Sequence, residues 1–415
     1  MTSELRAAAR RDAAERILAD TELPEDIRFD APVTPHALAP RAACLTGATG
    51  FLGGYLLHGL MTRTKADAYC LVRGTDPEAA RARLVQHLVG YGLWDRAFAT
   101  RIHAIPVHDL ADRHFGLPRT QYQELSEKVD VVYHSAGSLN MALPYDRLRR
   151  TNVQGTLEVL RLATTGTLKP VHFLSSLVVF FSDAHTGDTL LRENDSPRYD
   201  DSLKGGYGKS KWVADRLVAA AALRGLPVTT HRPVRIMGSA ATGAMIDLSD
   251  ILPLLIKACV LLGSCPDFDV KVTMVPVDYV TESMVHIAGL QSAFGQSFHY
   301  FHPDPIPWRD LMGLIRGLGY PMVEKPFAEW QRSLKIAASA KGDRPEYREY
   351  LANAFMAVMA PHFLLYRRPP LDAANLQAAL RDTDLRYPPI DAKLIGTYFD
   401  YWRGIGFVPD PPTAS

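Results

Sequence analysis

Three glycines, each separated from the next by two residues, stand between an apolar strand-like run at residues 42–45 and a helical pattern near Tyr55. At the turn of a strand-loop-helix unit, residues without side chains let the backbone approach a pyrophosphate. The amino end of the helix then offers free N–H groups and a partial positive charge to the phosphates. This context predicts a dinucleotide-binding loop. Its predicted contact residues are Gly47, Thr49, Gly50, Phe51, Leu52 and Gly53.

Apolar strand-like runs alternate with helical patterns from residue 41 to about residue 236. Repeated strand-helix-strand units predict a Rossmann-type α/β fold, a doubly wound parallel sheet covered on both faces. The alternation is lost after Gly238, and the remaining pattern predicts a smaller, mostly helical C-terminal substrate lobe over the carboxyl edge of the sheet. The predicted divisions are a helical lead-in or linker at 1–40, a dinucleotide-binding Rossmann domain at 41–240 plus 273–305, and a substrate-binding lobe at 241–272 plus 306–415.

The composition argues against several classes of function. The 415 residues are 47% hydrophobic and 22% charged with a net charge of +1, so no overall charge attracts nucleic acid or an anionic membrane. The N-terminus predicts neither a signal peptide nor an anchor, and the apolar run 251–263 contains Pro253 and Lys257 and predicts a buried helix. Four cysteines without Cys-x-x-Cys spacing favour core thiols in a cytoplasmic protein, and we expect no metal site.

The end of the second predicted strand discriminates between the two nicotinamide dinucleotides. A site for NAD(H) carries an acidic residue there, about twenty residues beyond the glycine loop, against the adenosine ribose. This chain has Arg73, whose planar guanidinium suits a 2′-phosphate, and Arg83 follows on a helical pattern where it could reach the same phosphate. The expected cofactor is therefore NADPH. Asp109 and Leu110 follow the third strand, where Asp109 is either an acceptor for the adenine amine or an ordinary turn aspartate.

The fourth predicted strand ends at His134 and is followed by small residues. Ala136, Gly137 and Ser138 are predicted to lie along the nicotinamide half of the cofactor, since small residues permit close approach of the backbone. His134 itself is interpreted as a hydrogen-bonded core residue and not as an acid or base.

Tyr207 and Lys211 are four residues apart at the start of a predicted helix and so share one of its faces. A neighbouring ammonium is expected to lower the pKa of the phenol towards the working range of an acid-base catalyst. Ser176, at the end of the fifth strand, can hold a substrate carbonyl oxygen beside that phenol. Ser176, Tyr207 and Lys211 are therefore the predicted catalytic residues. Asn152 either links the lysine to a water chain or caps a helix.

With these motifs, the chain resembles the extended short-chain dehydrogenase/reductase family. Within it the resemblance is to the thioester reductase (R) domains that terminate nonribosomal peptide synthetases, polyketide synthases and carboxylic acid reductases. It extends from about residue 41 to about residue 325. The runs that carry it are residues 45–53, 70–73, 91–94, 132–134, 152–156, 206–214, 231–233 and 275–280.

The resemblance implies that Arg73 and Arg83 hold the 2′-phosphate of NADPH and that Tyr207 and Lys211 contact the nicotinamide ribose half. Two positions depart from the family pattern. Ser176 replaces the usual threonine and keeps its hydroxyl, while Ser135 stands where the family tends to have asparagine. The implied reaction is the reduction of an acyl thioester on the phosphopantetheine arm of a carrier protein to an aldehyde, or onward to the alcohol, with natural product biosynthesis as its context.

Three alternatives stay open at this stage. A fatty acyl-coenzyme A reductase would use the same chemistry, whereas a sugar-nucleotide epimerase would be expected to prefer NAD and is disfavoured by Arg73. A non-enzymatic NADP-binding sensor is disfavoured because Tyr207 and Lys211 are both present. Basic residues could meet an acidic carrier protein, although such residues are more often solvated surface. The candidates are Arg147, Arg149, Arg150, Arg367 and Arg368.

Overall fold

The computed structural model describes residues 3–141, 143–185, 187, 189–203, 205–245, 250–339 and 369–412. The chain divides into two compact units. The first comprises Met1–Val234, Val280–Tyr300 and Arg368–Leu385, and the second comprises Arg235–Tyr279, Phe301–Arg367 and Arg386–Ser415.

The described strands are numbered in chain order. They are β1 Ala42–Thr46, β2 Asp67–Arg73, β3 Ile102–Val107, β4 Val131–His134, β5 Val171–Leu174, β6 Val228–Pro233, β7 Ile236–Met237, β8 Ser264–Pro266, β9 Lys271–Val272, β10 Val275–Pro276, β11 Ser297–Tyr300, β12 Ile306–Pro307 and β13 Val323–Lys325.

Seven of these strands form one parallel sheet in the order β11-β6-β5-β4-β1-β2-β3. From β1 the chain proceeds to β2 and β3 on one side, and then returns to β4 on the other side of β1. This reversal is the switch point at which open α/β sheets bind ligands. Strands β1, β4 and β6 are buried along their whole length, as expected for a sheet covered on both faces; β1 and β4 are mainly apolar, whereas β6 buries polar side chains. The prediction of a doubly wound Rossmann-type fold is confirmed.

The described α-helices, also numbered in chain order, are α1 Ser3–Ala19, α2 Phe51–Arg63, α3 Pro77–Gly90, α4 Arg119–Lys128, α5 Tyr145–Arg149, α6 Gly155–Thr164, α7 Gly205–Leu223, α8 Ile251–Leu262, α9 Val277–Ala288, α10 Trp308–Gly317, α11 Phe327–Ser339, α12 Ala374–Leu380 and α13 Ala392–Gly404. The helix α3 begins where its sequence predicts, because Asp76 caps the Ala79 N–H at 2.8 Å and Pro77 occupies the first turn.

Helices α5 and α6 are joined without a break by a single π-helical turn, Arg150–Gln154. A π-turn holds one more residue than an α-helical turn and is found mostly at functional sites. Asn152 lies in this turn and is buried.

Residues 1–40, predicted as a helical lead-in or linker, begin with the helix α1, and part of the segment packs into the first unit where its side chains are described. Ile17 and Ile27 are each 2% exposed, and both belong to the first unit. Val33 forms a parallel β-bridge with Leu168, and the Thr34 N–H donates to the Leu168 carbonyl at 2.9 Å. We call residues 11–34 the N-terminal arm. Its burial and its backbone pairing make it part of the first unit.

The second unit has its own apolar core, to which α8, α10, α11 and α13 contribute. Trp308 and Trp330 are 1% and 0% exposed, and their indole N–H groups donate to the carbonyls of Pro266 and Ser264 at 2.9 Å. They are core residues of this unit. The helix α8 is buried as predicted and ends at Gly263, which has a φ of 56°. No helix of the described ranges is long and apolar enough to span a bilayer.

One segment that the sequence places in the substrate lobe belongs to the first unit. Leu371 forms a β-bridge with Leu191. The buried Glu193 carboxylate accepts from the backbone N–H groups of Asn375 and Leu376, which fixes the start of α12. Residues 368–385 therefore fall within the first unit.

Candidate active site

The glycine loop after β1 is packed so closely that side chains would not fit. Gly47 has a φ of 80°, and a Cβ built on it would lie 2.7 Å from the Ala136 backbone nitrogen. A Cβ on Gly53 would overlap the Gly47 carbonyl oxygen. The Gly50 N–H donates to that same oxygen at 2.8 Å and closes the turn. The loop thus forms the backbone cradle that a pyrophosphate requires.

The helix α2 opens directly onto this cradle. Its N-cap, Gly50, supplies no side-chain hydrogen bond, and its first turn contains no acidic residue. The Phe51 ring packs against Tyr55 and Tyr91, with centroid separations of 5.3 and 5.6 Å, and Leu52 is buried. Phe51 and Leu52 can therefore contribute their backbone N–H groups to a phosphate. Thr49, half-buried beside them, belongs to the same loop.

His87 of α3 supports the glycine loop and was not predicted from the sequence. Its Nε2 donates to the Gly50 carbonyl at 3.0 Å. Its only sequence signal is its place on the helical pattern that also holds Arg83.

Arg73 and Arg83 lie together at the end of β2, as predicted. The Arg83 guanidinium donates to the Arg73 carbonyl at 3.0 Å, and both side chains are exposed. Two guanidinium groups at the ribose end of the site suit a 2′-phosphate and offer no carboxylate for a free 2′-hydroxyl.

Asp109 is engaged within the protein. Its Oδ1 accepts from the Ala111 N–H at 2.9 Å, and its Oδ2 accepts from Arg150 at 2.7 Å. These contacts are those of an ordinary turn aspartate that also forms an ion pair. A contact between Asp109 and the adenine amine stays a prediction. Leu110 packs against Gly155 at the start of α6, where an added Cβ would come within 3.3 Å of it.

The loop after β4 is held to β1 by side chains. Ser135 Oγ donates to the Thr46 carbonyl at 2.8 Å, which gives this departure from the family pattern a structural role. The His134 ring lies between the hydroxyls of Thr46 and Thr156, at 2.8 and 3.0 Å. Burial lowers the pKa of His134 to about 3. It is neutral at physiological pH and is a core residue, as predicted.

Asn152 clamps this loop to the helix that carries Tyr207. Its Oδ1 accepts from the Ser138 N–H at 2.7 Å, and its Nδ2 donates to the Ser138 carbonyl at 3.1 Å and to Ser210 Oγ at 2.9 Å. Asn152 lies within the π-turn and not at a helix end, so it is not a helix cap, and its link to Lys211 through water stays a prediction. The side chain holds Ser138 and the adjoining Ala136 and Gly137 in place.

Ser176, Tyr207 and Lys211 come together at the carboxyl end of β5. The Ser176 hydroxyl accepts from the Val178 N–H at 3.3 Å and is near enough to the Tyr207 phenol to oppose the rise of its pKa. Lys211 is 6% exposed, and its Nζ donates to the Leu174 carbonyl at 2.6 Å and lies 4.6 Å from the centre of the Phe173 ring. Burial lowers the pKa of Lys211 to about 8, although the nearby Asp215 opposes the shift.

The expectation that Lys211 lowers the phenol pKa is wrong for the protein alone. Burial raises the pKa of Tyr207 to about 12, and the neighbouring Ser176 hydroxyl opposes that rise. The physical reason is that the Lys211 ammonium is directed to the Leu174 carbonyl, while the loss of solvation penalises a phenolate. Tyr207 is therefore protonated at neutral pH and can act as a proton donor.

A buried ion pair below these residues was also missed. Arg232 of β6 donates to both carboxylate oxygens of Asp215 on α7, at 2.7 and 2.9 Å, and Ser175 Oγ donates to one of them at 2.5 Å. Although burial opposes the shift, Arg232 holds the pKa of Asp215 below its usual range. Asp215 follows Lys211 by one helical turn, a spacing that could have identified it.

Two of the basic residues predicted as candidates for carrier docking form ion pairs within the chain. Arg149 forms an ion pair with Asp20, and Arg150 pairs with Asp109 and Asp112. Arg149 and Arg150 thus have partners within the chain, but Arg150 is exposed, as Arg147 is, and contact of these arginines with a carrier protein stays a prediction. Arg367 and Arg368 lie outside the described residues.

The known proteins that this chain resembles are NAD-binding, synthase and reductase proteins. The NAD-binding family model described as male sterility protein matches residues 45–284. A linear gramicidin synthase of Brevibacillus parabrevis is 35% identical over 88% of this chain and 7% of its own length. Glycine betaine reductase ATRR of Emericella nidulans is 33% identical over 98% of this chain and 32% of its length. The chain thus spans a third or less of these curated relatives.

The solved terminal R domain from the myxalamid PKS-NRPS biosynthetic pathway superimposes with a TM-score of 0.88. It is 34% identical, and the match covers 96% of this chain and all of that one.

Proposed function

The chain is a reductase (R) domain of the extended short-chain dehydrogenase/reductase family, an NAD(P)-dependent oxidoreductase, and from this premise we propose that it reduces carrier-bound acyl thioesters. The product is an aldehyde released from the carrier, and a second hydride would give the alcohol. The observation that carries the proposal is geometric: the helix with Tyr207 and Lys211 is joined by Lys211 to the end of β5, at the sheet edge that also holds the glycine cradle.

We assign the cofactor as NADPH. The backbone of Gly47, Gly50 and Gly53 and the open first turn of α2 would hold the pyrophosphate. Arg73 and Arg83 would hold the 2′-phosphate with charge-assisted hydrogen bonds. The loop residues 136–138, held by Asn152, would lie against the nicotinamide half. When bound, the reduced nicotinamide supplies hydride to the carbonyl carbon of the thioester.

Tyr207 and Ser176 would act on the carbonyl oxygen. Both hydroxyls can donate to it, which stabilises the negative charge that develops there as the carbon is reduced. Tyr207, with a pKa near 12, holds its proton until that oxygen becomes basic enough to take it. The carbon-sulfur bond then breaks as the hydroxyl proton returns to the phenolate, and the sulfur leaves as a thiolate that takes a proton from solvent.

Lys211 would hold the cofactor ribose while anchoring the tyrosine helix. Its contact with the Leu174 carbonyl joins α7 to the end of β5, where Ser176 stands two residues further on. Because its pKa is near 8, the ammonium form dominates at neutral pH and can donate hydrogen bonds to a ribose hydroxyl.

The proposed partner is an acyl or peptidyl carrier protein bearing a phosphopantetheine thioester. The similarity to a linear gramicidin synthase and to the terminal R domain of a PKS-NRPS pathway supports this kind of partner. The rates with the same acyl group on a carrier protein and on coenzyme A can be compared. A higher rate with the carrier-bound form would indicate that the carrier protein itself is recognised.

The test is NADPH oxidation, followed by loss of nicotinamide absorbance, with acyl groups on a carrier protein and on coenzyme A. We expect turnover with the carrier-bound form and an aldehyde among the products. Tyr207→Phe should reduce the rate by about 10²- to 10⁴-fold and leave NADPH binding within about twofold, because it removes only the proton donor. No turnover with any acyl thioester, or an unchanged rate in Tyr207→Phe, would refute the proposal.

A further inference from the structure

One carboxylate of the N-terminal arm is bound tightly to the helix that precedes the π-turn. Asp20 accepts hydrogen bonds from the Tyr145 hydroxyl at 2.5 Å and from Arg149 Nε and Nη2 at 2.6 and 2.5 Å. The Asp20 side chain is 11% exposed. Although burial opposes it, the hydrogen bonds from Arg149 and Tyr145 hold the pKa of Asp20 below its usual range, so the carboxylate is charged at neutral pH.

The first connection from Asp20 to the proposed catalytic residues runs through the Tyr145 backbone. A Cβ built on Gly206 would lie 2.5 Å from the Tyr145 nitrogen and would overlap the Leu143 carbonyl oxygen. The start of α5 therefore rests on the first turn of α7 with no intervening side chain. Gly206 immediately precedes Tyr207, so a displacement of α5 changes the support of the phenol.

The second connection runs through Arg149 and the π-turn that follows it. Asn152 in that turn holds the Ser138 backbone on one side and Ser210 on the other. Ser210 adjoins Lys211, and its Oγ donates to the Tyr207 carbonyl at 2.9 Å. Both ends of the Tyr207–Lys211 segment are thus supported from α5 and the π-turn.

We infer that Asp20 is a positioning residue for the reductase site, acting through Tyr145 and Arg149 on the helix that carries Tyr207 and Lys211. The inference rests on the proposed function for its kinetic part. An exposed ion pair contributes little, and Arg16–Asp146, with side chains 54% and 64% exposed, is of that kind. The Asp20 cluster differs because its carboxylate is mostly buried and receives three hydrogen bonds in a fixed geometry.

The experiment compares Asp20→Asn with a control in the same arm, Asp26→Asn, whose side chain is 42% exposed. Asp26 also bridges two arginines, Arg113 and Arg161, but neither of them contacts α5 or α7 in its described hydrogen bonds and ion pairs. We expect Asp20→Asn to lower kcat by about tenfold or more while the KM for the thioester changes less than about twofold, since a small misplacement of reacting groups is costly. Asp26→Asn should keep both constants.

Hydrogen-deuterium exchange supplies a readout that does not depend on turnover. Asp20→Asn should speed exchange of the amides of residues 206–211, and Asp26→Asn should not. Two further variants grade the effect: Tyr145→Phe removes one of the three hydrogen bonds and should fall between wild type and Asp20→Asn, whereas Asp20→Glu keeps the charge and should recover part of kcat.

Wild-type kcat and wild-type exchange at 206–211 in Asp20→Asn would overturn the inference. Equal losses in Asp20→Asn and Asp26→Asn would also overturn it, because they would indicate general destabilisation. If wild-type protein turns over no thioester, the proposed function fails, and the exchange comparison alone decides the inference.

Discussion

Replacing Arg232 with methionine would leave the Asp215 carboxylate buried without its guanidinium partner. The two side chains are 1% and 4% exposed, so solvent cannot replace the two hydrogen bonds that are lost. The Arg232 guanidinium also donates to the Glu193 carbonyl at 2.8 Å and lies 5.2 Å from the centre of the Phe180 ring. Methionine fills part of that volume and supplies none of these contacts.

The expected loss in the free energy of unfolding depends on which partners the Asp215 carboxylate keeps. Removing one partner of a buried ion pair destabilises a protein by about 3–5 kcal/mol. Asp215 would keep the Ser175 hydrogen bond and the nearby charge of Lys211, so we expect the lower end, about 3 kcal/mol.

Native-state hydrogen exchange at the amides of β5 and β6 measures this loss locally, which avoids a two-state treatment of a chain with two units. A loss of about 3 kcal/mol corresponds to roughly 150-fold faster exchange of the most protected amides. The second arm of the experiment is the double variant Asp215→Asn, Arg232→Met. It should be more protected than Arg232→Met alone, with a coupling energy of about 1–3 kcal/mol, because it also removes the stranded charge.

Additive effects of the two substitutions would refute this reasoning, since they would mean that neither charge depends on the other. A change of less than about tenfold in exchange for Arg232→Met would refute it as well.

Three further predictions concern the cofactor and the proton donor. Gly53→Ala should abolish NADPH binding by calorimetry, because its Cβ would overlap the Gly47 carbonyl; measurable affinity would contradict the packing argument. Arg73→Ala should weaken NADPH by about 10- to 100-fold and NADH by less than about twofold, as expected for a lost charge-assisted contact; parallel losses would argue against a 2′-phosphate contact. The rate should fall above about pH 8 as Lys211 loses its proton, and Asp215→Asn should move that decline to lower pH, because removing a negative charge lowers the pKa of a neighbouring ammonium. A pH profile that does not change would contradict this assignment.

The Rossmann-type fold and the loop at its switch point could be predicted because their signals are local. Buried parallel strands give continuous apolar runs, and Gly47 and Gly53 are required by contacts within a few residues of themselves or with the neighbouring strand end. The four-residue spacing of Tyr207 and Lys211 likewise identified a shared helix face.

The remainder depends on contacts between residues far apart in sequence. Asp20 and Arg149 are separated by 129 positions, and no pattern in the arm identifies its partner. Spacing also gives no information about which atom a side chain contacts. The Lys211 ammonium takes the Leu174 carbonyl, and for that reason the predicted lowering of the Tyr207 pKa was wrong.

The π-turn at Arg150–Gln154 can also be understood as a correction of helical phase. An α-helix turns by about 100° per residue, so one additional residue in regular α-helical geometry would rotate everything beyond it by about that angle. On one side of the turn, Tyr145 and Leu148 of α5 are buried, and on the other side α6 buries Val159 and Leu162. The wider π-turn accommodates that additional residue, so α6 continues close to the phase of α5. Deleting one residue of the turn would return it to ordinary α-helical geometry and would displace Asn152, so the extra residue serves the position of Asn152 and not the packing of the two helices.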